Sequence, residues 1–399
     1  MKTASFTCYR VTAGVFLAAA SLCSAQSVLS TQCPGGLPLT HATGPSLSIG
    51  GAGTGVRNDF FGMADNVANL GGMKRAIFCA STSFDFTFIN EDDASSALFA
   101  LSPRLISFAF HINPVGTFGF SLDQRTTTLI KFVKPFNTSS VTDSIGFSDR
   151  GGLKSWQAGW GREIGRWGFA GLSYERMYLS NEDITIYSGD LGGGEPHNDT
   201  THLLFRGNAV RGGLLVPVNK LTLGISGEYV FKGDAERSKE SPDSTKSFSI
   251  SLPPSLSLGA SYELSPSWMA ALSSGITLWK DYRSGFTLGG AVDNALSFSA
   301  GVQYIPSPNL LVPKYWEIMQ YRLGFRYSEL PVVTGSEFSC TAGVGLPLLK
   351  GGGLVDFIAE YGSRSDSRIK FENFSERFLH LYLGINGGRK WSQTTRIRY

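Results

Sequence analysis

Arg322 and Arg326 lie four residues apart in "QYRLGFRYS" (320–328), with Gln320 and Gly324 between and beside them. Alternate residues of a β-strand share a face, so both guanidiniums point the same way. A guanidinium fork donates two parallel hydrogen bonds to a carboxylate, which makes the pair a candidate for an acidic head group. The same alternation puts Glu175, Arg206, Glu228, Asp356 and Glu360 on faces opposite the apolar ones. Two chemistries fit this set: a lining that binds a carboxylate or head group, or cross-strand pairs of Arg with Asp or Glu.

Catalysis has little to stand on. The five histidines are His41, His111, His197, His202 and His380, and no helix carries a zinc-binding pair. "HNDTTH" (197–202) falls in an expected outer loop, and serine is too common to single out a partner for His380. "GAGTGV" (51–56) lacks the preceding strand and following helix that a phosphate loop requires. No enzyme, metal or cofactor is expected. A net charge of +3 gives no reason to expect nucleic acid.

The elements that would carry these charges repeat one pattern. In "SFAFHINPVGTFGFSLDQRTT" (107–127), Phe108, Phe110 and Ile112 share one face of an arm, and Phe118, Phe120 and Leu122 share one face of the next. "NPVG" (113–116) turns between them, as in an antiparallel hairpin. About fourteen such runs recur between 76 and 387, of lengths that suit tilted strands crossing a bilayer. Their polar faces hold Gly, Ser and charge. Charged residues are only 17% of the chain, against about 25% in a soluble domain.

The connections sort by length. One set is mostly short, such as "IGR" (164–166), "VNK" (218–220) and "SPS" (265–267), with "PSPNLLVPKYW" (306–316) as the exception. The interleaved set is long and polar, including 134–152, 180–201, 232–245 and 363–373. Outer-membrane barrels have short periplasmic turns and long outer loops. No segment after the N-terminus is long and apolar enough for a spanning helix, so a membrane role requires a closed barrel. Tyr178, Tyr262, Trp268, Tyr304 and Tyr327 near strand ends fit an interfacial girdle.

The first residues read as a secretory signal: Lys2 and Arg10, then the short apolar run 11–22, then Cys23-Ser24-Ala25 before a cut near Gln26. Cys33, Cys79 and Cys340 remain after that cut. Cys33 and Cys79 are candidates for a bridge in an oxidising periplasm. Cys340 reads as a small apolar wall residue.

Two stretches resemble a known family. Ile49-Gly50-Gly51-Ala52-Gly53 and Asp65-Asn66-Val67-Ala68-Asn69-Leu70 are similar to the N-terminal elements of the FadL-like outer-membrane transport family, with Val67 where the family has Pro. The C-terminal stretch 341–391 matches at Gly343, Gly345, Leu346, Pro347, Asp356, Glu360, Tyr361, Gly362, Glu372, Asn373, Gly384 and Trp391. The resemblance implies a fourteen-stranded barrel with an N-terminal hatch in its lumen. It implies a passive channel for hydrophobic molecules such as long-chain fatty acids, or a secretion-linked barrel that holds protein cargo.

The expected organisation is an all-β transmembrane antiparallel barrel. It divides into a signal peptide (1–25), a hatch segment (26–75) that includes Gly50, Gly51, Asp65, Asn66, Val67 and Ala68, the barrel (76–387) and a tail (388–399). The expected ligand lining is Arg322, Arg326, Glu228, Arg206, Asp356 and Glu360. Pro253 and Pro254 in "SLPPS" (251–255) remove ladder donors, which marks a bulge or a break in the wall. The expected site of action is the bacterial outer membrane. The expected partners are its lipid, a hydrophobic small molecule, the barrel-assembly machinery that would read the aromatic end Tyr399, and, on the rival reading, a protein that the barrel scaffolds or presents.

Overall fold

The computed structural model describes residues 27–389 apart from 32, 34, 41, 92–93, 139–140, 189–196, 241–243, 282–293, 309–313, 332–334, 349–351 and 367–374. The expected signal segment, and residues 390–399 of the expected tail, lie outside the described residues.

Fourteen antiparallel strands close into a barrel. They are β1 (Ala76–Glu91), β2 (Ala94–Ile112), β3 in two arms (Gly116–Gln124 and Thr126–Thr138), β4 (Val141–Glu163), β5 (Phe169–Ser188) and β6 (His197–Val218). Then follow β7 in two arms (Leu221–Val230 and Gly233–Lys239), β8 in two arms (Ser244–Ile250 and Ser255–Ser265), β9 (Trp268–Thr277) and β10 (Ala295–Tyr304). The last four are β11 (Gln320–Glu329), β12 (Gly335–Pro347), β13 (Gly353–Asp366) and β14 (Ser375–Arg389). β14 returns to pair with β1, from Ser375↔Asn90 to Arg389↔Ala76, so the sheet has no free edge there.

The faces are inverted relative to a soluble protein. Phe108, Ile112, Phe120 and Leu122 are exposed on the outside, while Ser107, Thr117, Ser121 and Asp123 of the same hairpin are buried inside. Leu223 and Ile225 point out, whereas Ser226 and Glu228 point in. An apolar exterior over a polar interior is stable only against lipid. Trp268 stacks on Tyr304 with ring centroids 4.5 Å apart, and Tyr178, Tyr262 and Tyr327 are exposed, as a girdle requires.

The expected long loops 134–152 and 180–201 are largely strand. β4 is 23 residues long and β6 is 22, whereas β9, β10 and β11 have 10 each. A bilayer needs only about 9–11 tilted residues. The surplus rises as hairpins beyond the apolar band. Residues 182–187 are half-buried on both faces, so the apolar alternation that marks a spanning strand is missing there. The β-branched Ile184, Thr185 and Ile186 and the aromatic Tyr187 carry the remaining strand signal.

Three strands are interrupted. Strand β3 breaks at Arg125: below it, Leu105–Ile112 pair with Gly116–Asp123; above it, the outer arm pairs with β4 but not with β2. The outer arm's other edge is met by the two-residue strand Leu37–Pro38, with Leu37↔Thr127 and Pro38↔Thr126. Between β7 and β8 the ladder runs Glu228↔Ser255 and resumes at Gly233↔Ile250. Residues 251–254, including Pro253 and Pro254, belong to neither arm of β8.

Candidate functional site

The N-terminal segment lies against the inner face of the wall. Its turns are short: Val28–Thr31, Gly44–Leu47, Asp59–Phe61, Gly62–Asp65 and Asn69–Gly72. Gly50 and Gly51 have φ of 73° and 83°, the left-handed region that favours glycine. Glycines of the wall let this segment close in. A methyl group on Gly301 of β10 would sit 2.5 Å from the Ile49 Cβ and 2.6 Å from the Ile49 carbonyl oxygen. On Gly343 of β12 it would meet the Ser48 Cβ at 2.5 Å, and on Gly259 of β8 the Gly55 nitrogen at 2.5 Å. On Gly161 of β4 it would meet the Gly71 nitrogen at 2.6 Å. The segment therefore tracks round the waist of the barrel from β13 and β14 back to β3.

Polar bonds complete the seat. Asn66 Nδ2 donates to the carbonyls of Thr54, at 2.9 Å, and Leu214, at 3.2 Å, while its Oδ1 accepts from the Ala68 amide at 3.0 Å. Val67 and Ala68 are fully buried, and Val67 backs onto Gly171 of β5. Asp65 accepts from Ser46 Oγ at 2.5 Å, but its Oδ2 is enclosed without a partner. Burial pushes the Asp65 carboxyl up to about 7, opposed by the Ser46 hydrogen bond and the Arg211 charge.

The wall charges form three groups. In the first, Arg125, at the break in β3, donates to Glu175 at 2.9 Å and to both oxygens of Glu228 at 3.0 and 2.9 Å. Arg211 of β6 also donates to Glu228, at 2.5 Å, and holds the Ala64 carbonyl of the N-terminal segment at 3.0 Å. In the second, Arg322 donates to Asp356 at 2.6 Å and to Gln303 at 2.8 Å. Asn386 donates to the other Asp356 oxygen at 2.7 Å. In the third, Arg326 bridges Glu337, at 2.6 Å, and Glu360, at 2.9 Å. Arg364 joins Glu337, at 2.6 Å, to Glu376, at 2.9 Å. Tyr382 donates to Glu360 at 2.6 Å.

Five of the six expected lining residues, Arg322, Arg326, Glu228, Asp356 and Glu360, therefore sit inside, each already bound to a partner of opposite charge. Arg206 is a correction: it is exposed on the outer face, opposite Tyr178 of β5. Arg211 points inward on the same unbroken strand, and an odd separation of five places Arg206 on the other side. Sequence reading missed Arg125, Arg211, Arg104 and Arg364. Arg104 sits where the β1–β2 register shifts, beside Pro103, and donates to Asp85 at 3.0 Å. A bulge re-aims its side chain, and alternation cannot show that. Cys33 and Cys79 are not bridged: Cys33 packs with Leu29, Leu37 and Leu330, and Cys79 packs with Met63, Val67 and Leu70. Cys340 is exposed on the outer wall.

Above these charges the lumen turns apolar on one side. Leu153, Met177, Leu179, Leu203, Phe205, Val230 and Ile250, from β4 to β8, form one inward-facing cluster, with Leu252 packed on it. A cavity of about 240 Å³ lies against it and reaches Leu252 and Pro253 at the β7–β8 interruption. A second cavity of about 320 Å³ lies nearer the N-terminal segment, lined in part by serines and by the charged Asp65, Arg125, Arg211, Glu228, Arg326 and Glu337. The two share Arg125, Glu228 and Ser255 in their walls.

A barrel of this strand number, closed over an inward-folded N-terminal segment, defines the class: the fold is FadL-like. Solved structures bear this out. The chain is similar to a Pseudomonas aeruginosa FadL homologue, with 12% identity, 88% of this chain and 99% of that one covered, and a TM-score of 0.59. It is similar to the Ralstonia pickettii toluene transporter TbuX, with 16% identity, 87% and 98% covered, and a TM-score of 0.57. The P. putida toluene transporter TodX gives 15% identity, 88% and 99% covered, and a TM-score of 0.57. At these identities the likeness is one of fold. The sequence pattern of the BamG family matches residues 220–398. Comparison with curated proteins finds no match.

Proposed function

We propose that this chain is a bacterial outer-membrane channel for passive uptake of small hydrophobic compounds. The observation that carries the reading is the apolar chamber inside the wall, where a barrel lumen is ordinarily polar. Leu153, Met177, Leu179, Phe205 and Leu252 offer an uncharged surface to a ligand arriving between the tall hairpins. Two breaks in the ladder adjoin it and would serve as sideways exits. One is the β7–β8 interruption at Pro253 and Pro254; the other lies between β2 and the outer arm of β3, where Leu37 and Pro38 cover the edge at Thr127 and Thr126. A sideways exit suits an apolar solute, which never has to cross the charged waist or the hatch ring. The toluene transporters that it resembles in fold agree with this class of cargo. Mass spectrometry of small molecules that co-purify with the folded barrel in mild detergent, against an unrelated barrel, tests it. Enrichment of one class of hydrophobe is the expected result; no enrichment removes the support.

The BamG match over 220–398 favours a second reading, a barrel that works beside the barrel-assembly machinery or presents a protein partner. The same half of the wall carries the densest ion pairing, from Arg322 to Glu376. Retention of a protein partner, with no small molecule enriched, is the outcome that selects it.

A further inference from the structure

We propose that the cargo is a neutral amphiphile, an apolar chain with a hydroxyl-type head, rather than a fatty-acid anion. This rests on the uptake reading and names its substrate class.

The two adjoining cavities differ in chemistry. The one of about 240 Å³ is walled by Met177, Leu179, Phe205 and Leu252 and suits a chain. The one of about 320 Å³ is walled by Ser226, Ser257, Ser273, Ser297, Ser299 and Ser328, contributed by β7 to β11. These serines face one another across the ladders: Ser226 pairs with Ser257, Ser273 with Ser299, and Ser297 with Ser328. The result is a sheet of hydroxyls, each able to donate or accept. The Ser273 hydroxyl is buried and bonds to no other group of the chain, which leaves it for a ligand hydroxyl. The larger of the two falls within the range of small-molecule pockets, about 300–1,000 Å³.

A carboxylate has no comparable welcome. Every arginine lining this chamber already holds wall carboxylates: Arg125 holds Glu175 and Glu228, Arg211 holds Glu228, and Arg326 holds Glu337 and Glu360. Around those groups the carboxylates are at least as numerous as the guanidiniums, and Asp65 adds one more acid to the lining. An entering anion would lose its water and meet like charge, without a guanidinium of its own. A neutral head loses little and gains hydroxyl partners.

Isothermal titration of the full-length barrel in mild detergent at pH 7.5, with decane-1,2-diol and with decanoate, tests the assignment. The two probes share chain length and differ in the head. The diol is expected to bind about ten-fold more tightly or better. Ser273→Ala is expected to weaken the diol several-fold and leave decanoate unchanged; the small substitution spares the fold. Equal affinities, or tighter binding of decanoate, overturn the neutral-head assignment while leaving a hydrophobe channel standing. Binding of neither probe overturns the uptake reading itself, and this assignment with it.

Discussion

Gly301→Ala is expected to unseat the hatch segment without breaking the barrel. The new methyl group would lie 2.5 to 2.7 Å from the Cβ, carbonyl oxygen and Cα of Ile49. Comfortable contacts lie at about 3.5–4.0 Å, so something must move by about 1 Å. Strand β10 cannot give way easily, because Gly301 is laddered to Ala271 on one side and to Gly324 on the other. The turn at Ile49 is held by fewer bonds, chiefly within its own loop and through Thr341 Oγ1 to the Ser48 carbonyl at 3.1 Å. Overpacking of this kind costs about 1–3 kcal/mol. That shifts the seated-to-unseated ratio by about 5–150-fold. Gly212→Ala is the control, since a methyl group there meets nothing within 4 Å. Planar-bilayer recordings should show more frequent or larger openings for Gly301→Ala only, with protease cleavage at the exposed Arg57 accelerated in parallel. If the two variants are indistinguishable from the parent, the segment does not close the waist and the packing argument fails.

Three further outcomes follow from the same contacts. Glu228→Gln leaves the Arg125 and Arg211 guanidiniums facing a neutral amide; breaking a buried pair costs about 3–5 kcal/mol. The barrel should lose heat resistance on gel electrophoresis, with part of the loss recovered in Glu228→Gln/Arg125→Gln. Asp65 holds its proton up to about 7 when seated, against 3.8 for the free group, so the seated state binds more protons between those values. Seating should therefore weaken as pH rises from about 4 to 7, and Asp65→Asn should flatten the pH dependence of Arg57 cleavage. Leu252→Asp places a charge where the apolar cavity meets the β7–β8 interruption; uptake of an apolar solute should fall about ten-fold or more while the barrel stays folded, as circular dichroism would show.

Much of the fold was legible because a spanning strand must alternate. Leu221, Leu223 and Ile225 against Thr222, Gly224 and Ser226 could be read without coordinates, as could Leu296 and Phe298 against Ser297 and Ser299. The hairpin ends beyond the apolar band were not legible, because residues 182–187 are half-buried on both faces and show no alternation. Parity alone puts Arg322, Arg326 and Glu360, on regular strands, on the inner face, where they lie. Their partners depended on register between strands, which parity does not set, and Arg206 needed the phase of one unbroken strand. Arg125 and Arg104 sit at a break and at a register shift, where alternation is suspended. The apolar inner cluster escaped notice because Leu179 and Phe205 look like lipid-facing residues in sequence. Only closure of the barrel shows which side they occupy.

The measurement that bears most directly on the central claim is the initial uptake rate of a labelled small hydrophobe by cells that lack other hydrophobe channels, with and without this barrel in the outer membrane. The account predicts a rate that rises with the parent protein, shows no energy dependence, and falls back to the empty-cell level with Leu252→Asp. A rate unchanged by the folded, membrane-inserted parent would contradict it and turn attention to the protein-partner reading.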